Sequence, residues 1–418
     1  MIRSLTVGLP LEDLSTSEIA SRVRRLLETA NRAFADASLS PRTRRFTLPP
    51  SSSADEAEGV LLSRVRWVDK LARATEVRWF CLPIDLLDGA TRGGRLANTL
   101  DAVGRFERMF VNLVLAADGR TAVNAVHDAA RFVLDVSSKS NNGFDNFRVG
   151  ASFNCPPNAP FFPFSRHEGA GVAFSLALET TQLAEQALRA CTTPHDVGAV
   201  RDLLVQILAP ALRSLDELGM RIAEGSGAEY RGLDASLAPL PAEDVSVAAL
   251  VESVIGAPVG SHASVYATAF LTDALRAAVV ASGARTVGFN GVMYSLLEDR
   301  RLAVANNQRR ISLDGLLALS TVCACGLDMV PIPGRSFPEE IAALMLDVAA
   351  LSSSLSKPLG VRLLPIPGAH VNEFTRLNLD FLCDSRVVGL TSNDRRFVSR
   401  EPLLELLVPR RGPEGARR

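Results

Sequence analysis

Residues 146–169 read NFRVGASFNCPPNAPFFPFSRHEG. All but the last residue of this stretch falls in a longer segment, 137–168, that is rich in Asn, Pro and Phe and has no helical period. A structureless run of about 20 residues inside a compact domain is as a rule either functional or disordered. Disorder is disfavoured here, because Phe147, Phe153, Phe161, Phe162 and Phe164 would leave too much apolar area in water. The segment is therefore expected to pack inside the protein and to carry polar groups in with it. Arg148, Asn154 and His167 then become candidate substrate contacts. Of these, His167 is the candidate for moving protons, since an unperturbed imidazole titrates near ~6.5. No partner motif activates Cys155, which reads as a structural thiol.

On both sides of this stretch, strand-like and helix-like periodicities alternate. Before it come a strand at Ile2–Leu9, helices over Thr16–Phe34 and Ala57–Ala74, strands at Glu76–Leu82 and Arg108–Leu115, and a helix at Ala122–Val136. After it come a strand at Val172–Leu178 and helices at Thr181–Ala190, Val197–Glu224, Val247–Val254, Ala263–Ser282 and Ser312–Cys323. Gly326–Pro333 and Val361–Ile366 read as strands around a helix at Pro338–Leu355. Such alternation predicts an α/β protein with a largely parallel sheet, open or closed. Residues 1–408 are expected to form one domain, and 409–418 a disordered tail.

The chain has 418 residues, 47% hydrophobic and 22% charged, with a formal net charge of -1. Near-neutrality supplies no electrostatic drive towards nucleic acid or an anionic membrane. Apolar runs fall short of the ~20 residues of a membrane span, and Ala263–Ala281, with Asp273 and Arg276, reads as a core helix. The opening MIRSLTVGLP has no export-signal pattern, so a cytoplasmic location is expected. Six cysteines are too sparse for a disulfide framework, and Cys323 and Cys325 have no second pair at zinc-finger spacing. Dinucleotide, P-loop, zincin and nucleophile-elbow motifs are all missing. No cofactor is identifiable, while a divalent metal and a homo-oligomer both stay open.

Further candidates lie outside the loop. In RGLDASLAPLP, Asp234 and Ser236 occupy a polar turn, where capping competes with function. Asn290 stands between two glycines in GFNG, which suits either a close ligand or an αL turn. Asp328 is embedded in the apolar strand CGLDMVPIPG and needs a partner; Arg362 in VRLLPIPG is the matching embedded cation.

Taken together, IRSLTVGL, HEGAG, LDASLAPLP, GFNG, CGLDMVPIPG and RVVG resemble the domain-of-unknown-function-711 family over nearly the whole chain. That family is similar in fold to the glycyl-radical enzymes. The resemblance implies a closed ten-stranded α/β barrel with a loop threaded into its interior. It also raises the radical itself: SRVVGL, with Gly389, resembles the glycyl-radical signature but has Val388 and Leu390 where a small and an aromatic residue are usual. The leading expectation is a non-radical enzyme acting on a small polar or anionic metabolite inside the barrel. Arg148 and Arg362 would bind negative charge, His167 would move protons, and Asp234 or Asp328 would orient or accept, with Asn154, Ser236 and Asn290 contacting substrate. The alternatives are a binding or regulatory protein on a retired enzyme scaffold and, below it, a true radical enzyme using Gly389. An enzyme should converge charged groups on one water-accessible cavity; a retired scaffold should fill it with apolar side chains.

Overall fold

A computed structural model of the chain describes residues 2–11, 15–51, 59–89, 92–191 and 196–391. The expected tail at 409–418 and the expected helix start at Ala57 lie outside the described residues.

Ten strands form one mixed sheet: β1 (Ile2–Gly8), β2 (Thr43–Thr47), β3 (Trp79–Asp85), β4 (Met109–Ala117), β5 (Arg120–Thr121), β6 (Val149–Phe153), β7 (Ala173–Leu178), β8 (Glu229–Asp234), β9 (Gly326–Pro333) and β10 (Leu359–Ile366). Their order is β8-β7-β1-β2-β3-β4-β6-β10-β9, with β5 paired to β4 alone. Strands β1, β2, β3, β4 and β6 run parallel. At one side β7 and β8 run against them, and at the other so do β10 and β9. The α/β expectation is met, but the ladder is not closed into a regular barrel: β8 and β9 do not pair with each other. Segment 285–296 meets each of these edges through isolated bonds instead. Leu233 N–H donates to Arg285 O (2.9 Å) and Leu233 O accepts from Val287 N–H (3.0 Å), while Leu296 N–H donates to Asp328 O (2.9 Å).

Eleven helices are described: α1 (Thr16–Asp36), α2 (Val60–Ala74), α3 (Arg92–Arg105), α4 (Val123–Lys139), α5 (Thr181–Ala190), α6 (Val197–Ser226), α7 (Val247–Ile255), α8 (Ser264–Ser282), α9 (Arg300–Asn307), α10 (Leu313–Ser320) and α11 (Pro338–Ser354). Helix α1 starts where the sequence places it, because Ser15 and Glu18 form a reciprocal capping box. Its buried stripe, Ile19, Val23, Leu26, Ala30 and Phe34, recurs at helical spacing. Helix α8 is long and apolar enough to cross a membrane by composition; half of it is buried inside the protein, and it packs on α6 and α7.

Strands β6 and β8 fall in stretches that read as loops and β2 in one assigned no element, and the register explains why. Paired residues share a face, and one face joins Ser4, Thr6 and Gly8 to Thr43, Arg45 and Thr47. It continues through Trp79 and Cys81 to Phe110 and Asn112, and on to Gly150 and Gly360. Many of these residues are small or polar, which spoils the apolar alternation of a half-buried strand. The loop lies across this face. Pro160 O accepts from Ser4 Oγ (3.4 Å), Thr6 Oγ1 (3.2 Å) and an Arg45 guanidinium N–H (3.4 Å). Ser165 O accepts from Asn112 Nδ2 (3.4 Å), and His167 N–H donates to Leu48 O (2.8 Å). Glycine leaves the room: a Cβ at Gly8 would run into the His167 ring, one at Gly150 into Pro163 and Phe164, and one at Gly360 into Phe164. All five phenylalanines of the loop reading are buried, none more than 7% exposed.

Candidate functional site

The cavity with most chemistry in it, about 470 Å³ in volume, lies at the amino-terminal ends of β1–β4, where Arg3, Thr43, Trp79 and Phe110 line it. Because β7 runs the other way, its carboxyl end reaches the same mouth and delivers Glu179. Aromatic rings make one wall. Phe110 is the hub, with centroids 5.3 Å from Trp79, 5.4 Å from Phe147 and 5.4 Å from Phe162. Ala238, Pro239, Leu240 and Pro241 add further apolar lining.

Three largely buried arginines and three carboxylates, Arg3, Arg45, Arg362, Glu179, Glu298 and Asp328, bring charge to this cavity. Each guanidinium lies over a ring: Arg3 over Phe161 (5.8 Å), Arg45 over Phe162 (5.1 Å) and Arg362 over Phe147 (5.3 Å). Stacking occupies the guanidinium face and leaves its edge for hydrogen bonds. Arg362 directs that edge at Asp328, with Nε 2.5 Å from Oδ1 and a terminal nitrogen 2.7 Å from Oδ2, and at Glu298 Oε2, 3.2 Å away. Burial pulls Arg362 down, but Asp328 and Glu298 outweigh it and hold the guanidinium above its ordinary pKa. Glu298 is the converse case. Burial opposes its charge, yet Arg362 and Arg3 keep it below the usual carboxylate value, helped by the Ser295 hydroxyl donating at 2.8 Å. Burial pushes Asp328 up, against the pull of Arg362.

Two charges are less well matched. Arg45, 6% exposed, donates to Thr43 Oγ1 (2.9 Å) and Pro160 O, and among the described residues no carboxylate comes within 4.0 Å of it. Burial, together with the positive field of Arg3, lowers its pKa to about 9. Glu179, 4% exposed, receives Arg42 Nε on Oε2 at 2.7 Å. Its other oxygen, Oε1, is buried without a hydrogen-bond donor, and an Arg3 nitrogen lies 3.9 Å from it.

Of the residues singled out from sequence, Asp328 and Arg362 line this cavity and bind each other. Arg148 does not line it; its guanidinium donates to the carbonyls of Val103, Phe106 and Met109 and to Asp145 (2.6 Å). Asn154 reaches Ser352 Oγ (2.9 Å) instead. His167 is 1% exposed, backs onto Gly8, and has Nδ1 3.1 Å from Asn158 Oδ1; it too is outside the lining. Asp234, Ser236 and Asn290 do come together, but as a knot. Asp234 Oδ1 accepts from Ser236 Oγ (2.5 Å) and Asn290 N–H (3.2 Å), Oδ2 accepts from Phe289 N–H (2.7 Å), and Asn290 Oδ1 accepts from Ala235 N–H (3.0 Å). The knot ties the end of β8 to the segment that leads into Ser295 and Glu298. Cys155 is buried and its thiol is pushed up to about 12 by burial. Among the described residues no group of three or more His, Cys, Asp or Glu side chains could hold a metal.

Arg3, Arg45, Glu179 and Glu298 escape a reading of the sequence. Arg3 carries the same signal as Asp328 and Arg362, a charge inside an apolar strand. Arg45 is hidden because TRRFT does not read as a strand at all.

Residues 1–378 match the family model described as "Uncharacterised ACR (DUF711)". The chain is similar to a UPF0210 protein of Pyrobaculum arsenaticum, 33% identical over 68% of this chain and 64% of that protein. It thus covers less than two thirds of that relative's length. UPF0210 proteins of Methanopyrus kandleri and Lactobacillus delbrueckii match more fully: 28% identity over 88% of this chain and 86% of theirs, and 24% over 89% and 87%.

Proposed function

The chain belongs to the uncharacterised ACR (DUF711) family, and from its cavity we propose an enzyme that binds a small polar metabolite through an anionic group and acts on it by acid–base chemistry. The observation that carries this reading is Arg45, a buried guanidinium facing the cavity with no carboxylate within 4.0 Å among the described residues. Burying an unpaired charge costs several kcal/mol, about 3–5 when a partner is removed. A ligand carboxylate or phosphate on the free edge of Arg45 offsets that cost. The volume suits a metabolite rather than a polymer.

Among the described residues lining the cavity there is no His, Cys, Lys or Tyr, so proton transfer falls to carboxylates. Glu298, kept ionised, is the acceptor, and Arg362 with Asp328 positions it. The architecture this reading assumes is a barrel completed through segment 285–296. A non-catalytic binding role is the second reading, favoured by the hold that Arg362 has on both Asp328 and Glu298. The radical reading finds no support at Gly389, which lies beyond the family-matched residues, packs near Val371 and is outside the cavity lining.

The test uses 3-phenylpropanoate and its neutral amide as probes, followed by the fluorescence of Trp79 in a Trp67→Phe background. The carboxylate should bind and the amide should not, and Arg45→Met should abolish the difference. Equal binding of the two probes would remove the anion site. Incubation of a metabolite mixture in D2O, read by proton NMR, should show enzyme-dependent exchange or conversion; binding without either would favour the second reading.

A further inference from the structure

The geometry points to an α-amino acid with a large apolar side chain as the ligand: Arg45 takes its carboxylate, Glu179 its ammonium, and the Trp79–Phe110–Phe147–Phe162 wall its side chain. This inference rests on the cavity being the ligand site, as proposed above, and adds the ligand's second charge.

The cavity lining carries five arginines, Arg3, Arg42, Arg45, Arg78 and Arg362, and three carboxylates, Glu179, Glu298 and Asp328, so an anionic group on the ligand is favoured and the detail of the pairing decides what else it carries. The pairing is uneven. Arg362 satisfies Asp328 and reaches Glu298, and Arg3 sits between Glu298 (3.8 Å) and Glu179 (3.9 Å). What is left over is the cation Arg45 and one carboxylate oxygen, Glu179 Oε1, which is buried and lacks a donor. A buried acceptor without a donor loses its solvation uncompensated, so a cation with no carboxylate within 4.0 Å among the described residues and an acceptor with no donor call for a ligand carrying both an anion and an N–H donor.

Their hydrogen-bond partners are adjacent in the chain: Glu179 accepts from Arg42, the residue before β2, and Arg45 donates to Thr43, the first residue of β2. Glu179 is close enough for its charge to act on Arg45. An α-amino acid presents an ammonium and a carboxylate on one carbon. Its side chain then has the apolar remainder of the lining to meet, the aromatic wall together with Ala238, Pro239, Leu240 and Pro241. A dicarboxylate or a phosphate ester would fill Arg45 but place negative charge against Glu179.

Three probes that share a phenyl ring decide this: L-phenylalanine, 3-phenylpropanoate, which lacks the ammonium, and 2-phenylethylammonium, which lacks the carboxylate. L-Phenylalanine should bind at least about tenfold tighter than either, the value of one charged hydrogen bond. In Glu179→Gln its advantage over 3-phenylpropanoate should collapse while 3-phenylpropanoate binding persists. If 3-phenylpropanoate binds as tightly as L-phenylalanine to the unmodified protein, the amino-acid inference fails and the anion site stands. If neither carboxylate binds, both fail. Should Glu179→Gln not fold, the ranking of the three probes on the unmodified protein still decides between these outcomes.

Discussion

Arg362 on β10 embraces both oxygens of Asp328 on the neighbouring parallel strand β9, at 2.5 and 2.7 Å. Each is a charge embedded in an otherwise apolar strand, and each explains the other. The pair also fixes Glu298, which shares the same guanidinium. Removing one member strands the other. Asp328→Asn should therefore destabilise the protein by about 3 kcal/mol or more, read from the urea midpoint, and a change under about 1 kcal/mol would mean that the pair is solvated like a surface ion pair.

Glu298 gives the pair a pH signature. Its folded pKa lies below the ordinary value of 4.5. Between those two values the unfolded chain binds more protons than the folded one, so stability rises with pH through that window. The contribution is complete above the unfolded value and disappears as pH falls through the folded one. The stability gap between the unmodified protein and Glu298→Gln should thus shrink on acidification from pH 6 to pH 3. A gap that stays constant or widens would mean that the charge of Glu298 contributes nothing to stability.

Arg45 should trade stability for binding. With no carboxylate within 4.0 Å among the described residues it is a net cost to the empty protein, so Arg45→Met should leave stability unchanged or raise it by about 1 kcal/mol or more. The same substitution should abolish binding of 3-phenylpropanoate. A strongly destabilised Arg45→Met would assign Arg45 to holding Pro160 and the loop instead.

Gly360 should resist any side chain. A methyl there must displace the Phe164 ring, and overpacking of this kind costs about 1–3 kcal/mol. Phe164→Leu relieves the collision, so the double variant should be less destabilised than the sum of the two single ones. Strict additivity in urea unfolding would show that the loop does not lie on β10.

His167 should behave as part of the loop's support. It is buried against Gly8 and Asn158, so His167→Ala should cost about 2 kcal/mol and should leave 3-phenylpropanoate binding intact once folded. Loss of binding at unchanged stability would restore it to the site.

By itself the sequence determined the α/β alternation, the start of α1 at its capping box, and the burial of the phenylalanine-rich stretch. These are local quantities, set by periodicity and by the apolar area of nearby residues. It also marked Asp328 and Arg362, because a charge inside an apolar strand is legible without knowing its partner. What only the tertiary structure decided is which polar groups share a space. Side chains alternate faces along a strand, and the strand register, fixed by long-range pairing, sets which ones point at the loop. That register put Arg45 and Glu179 at one mouth while Arg148 turned to the carbonyls of Val103, Phe106 and Met109. No spacing within the chain encodes those meetings, since the partners come from strands that only the folded sheet makes adjacent.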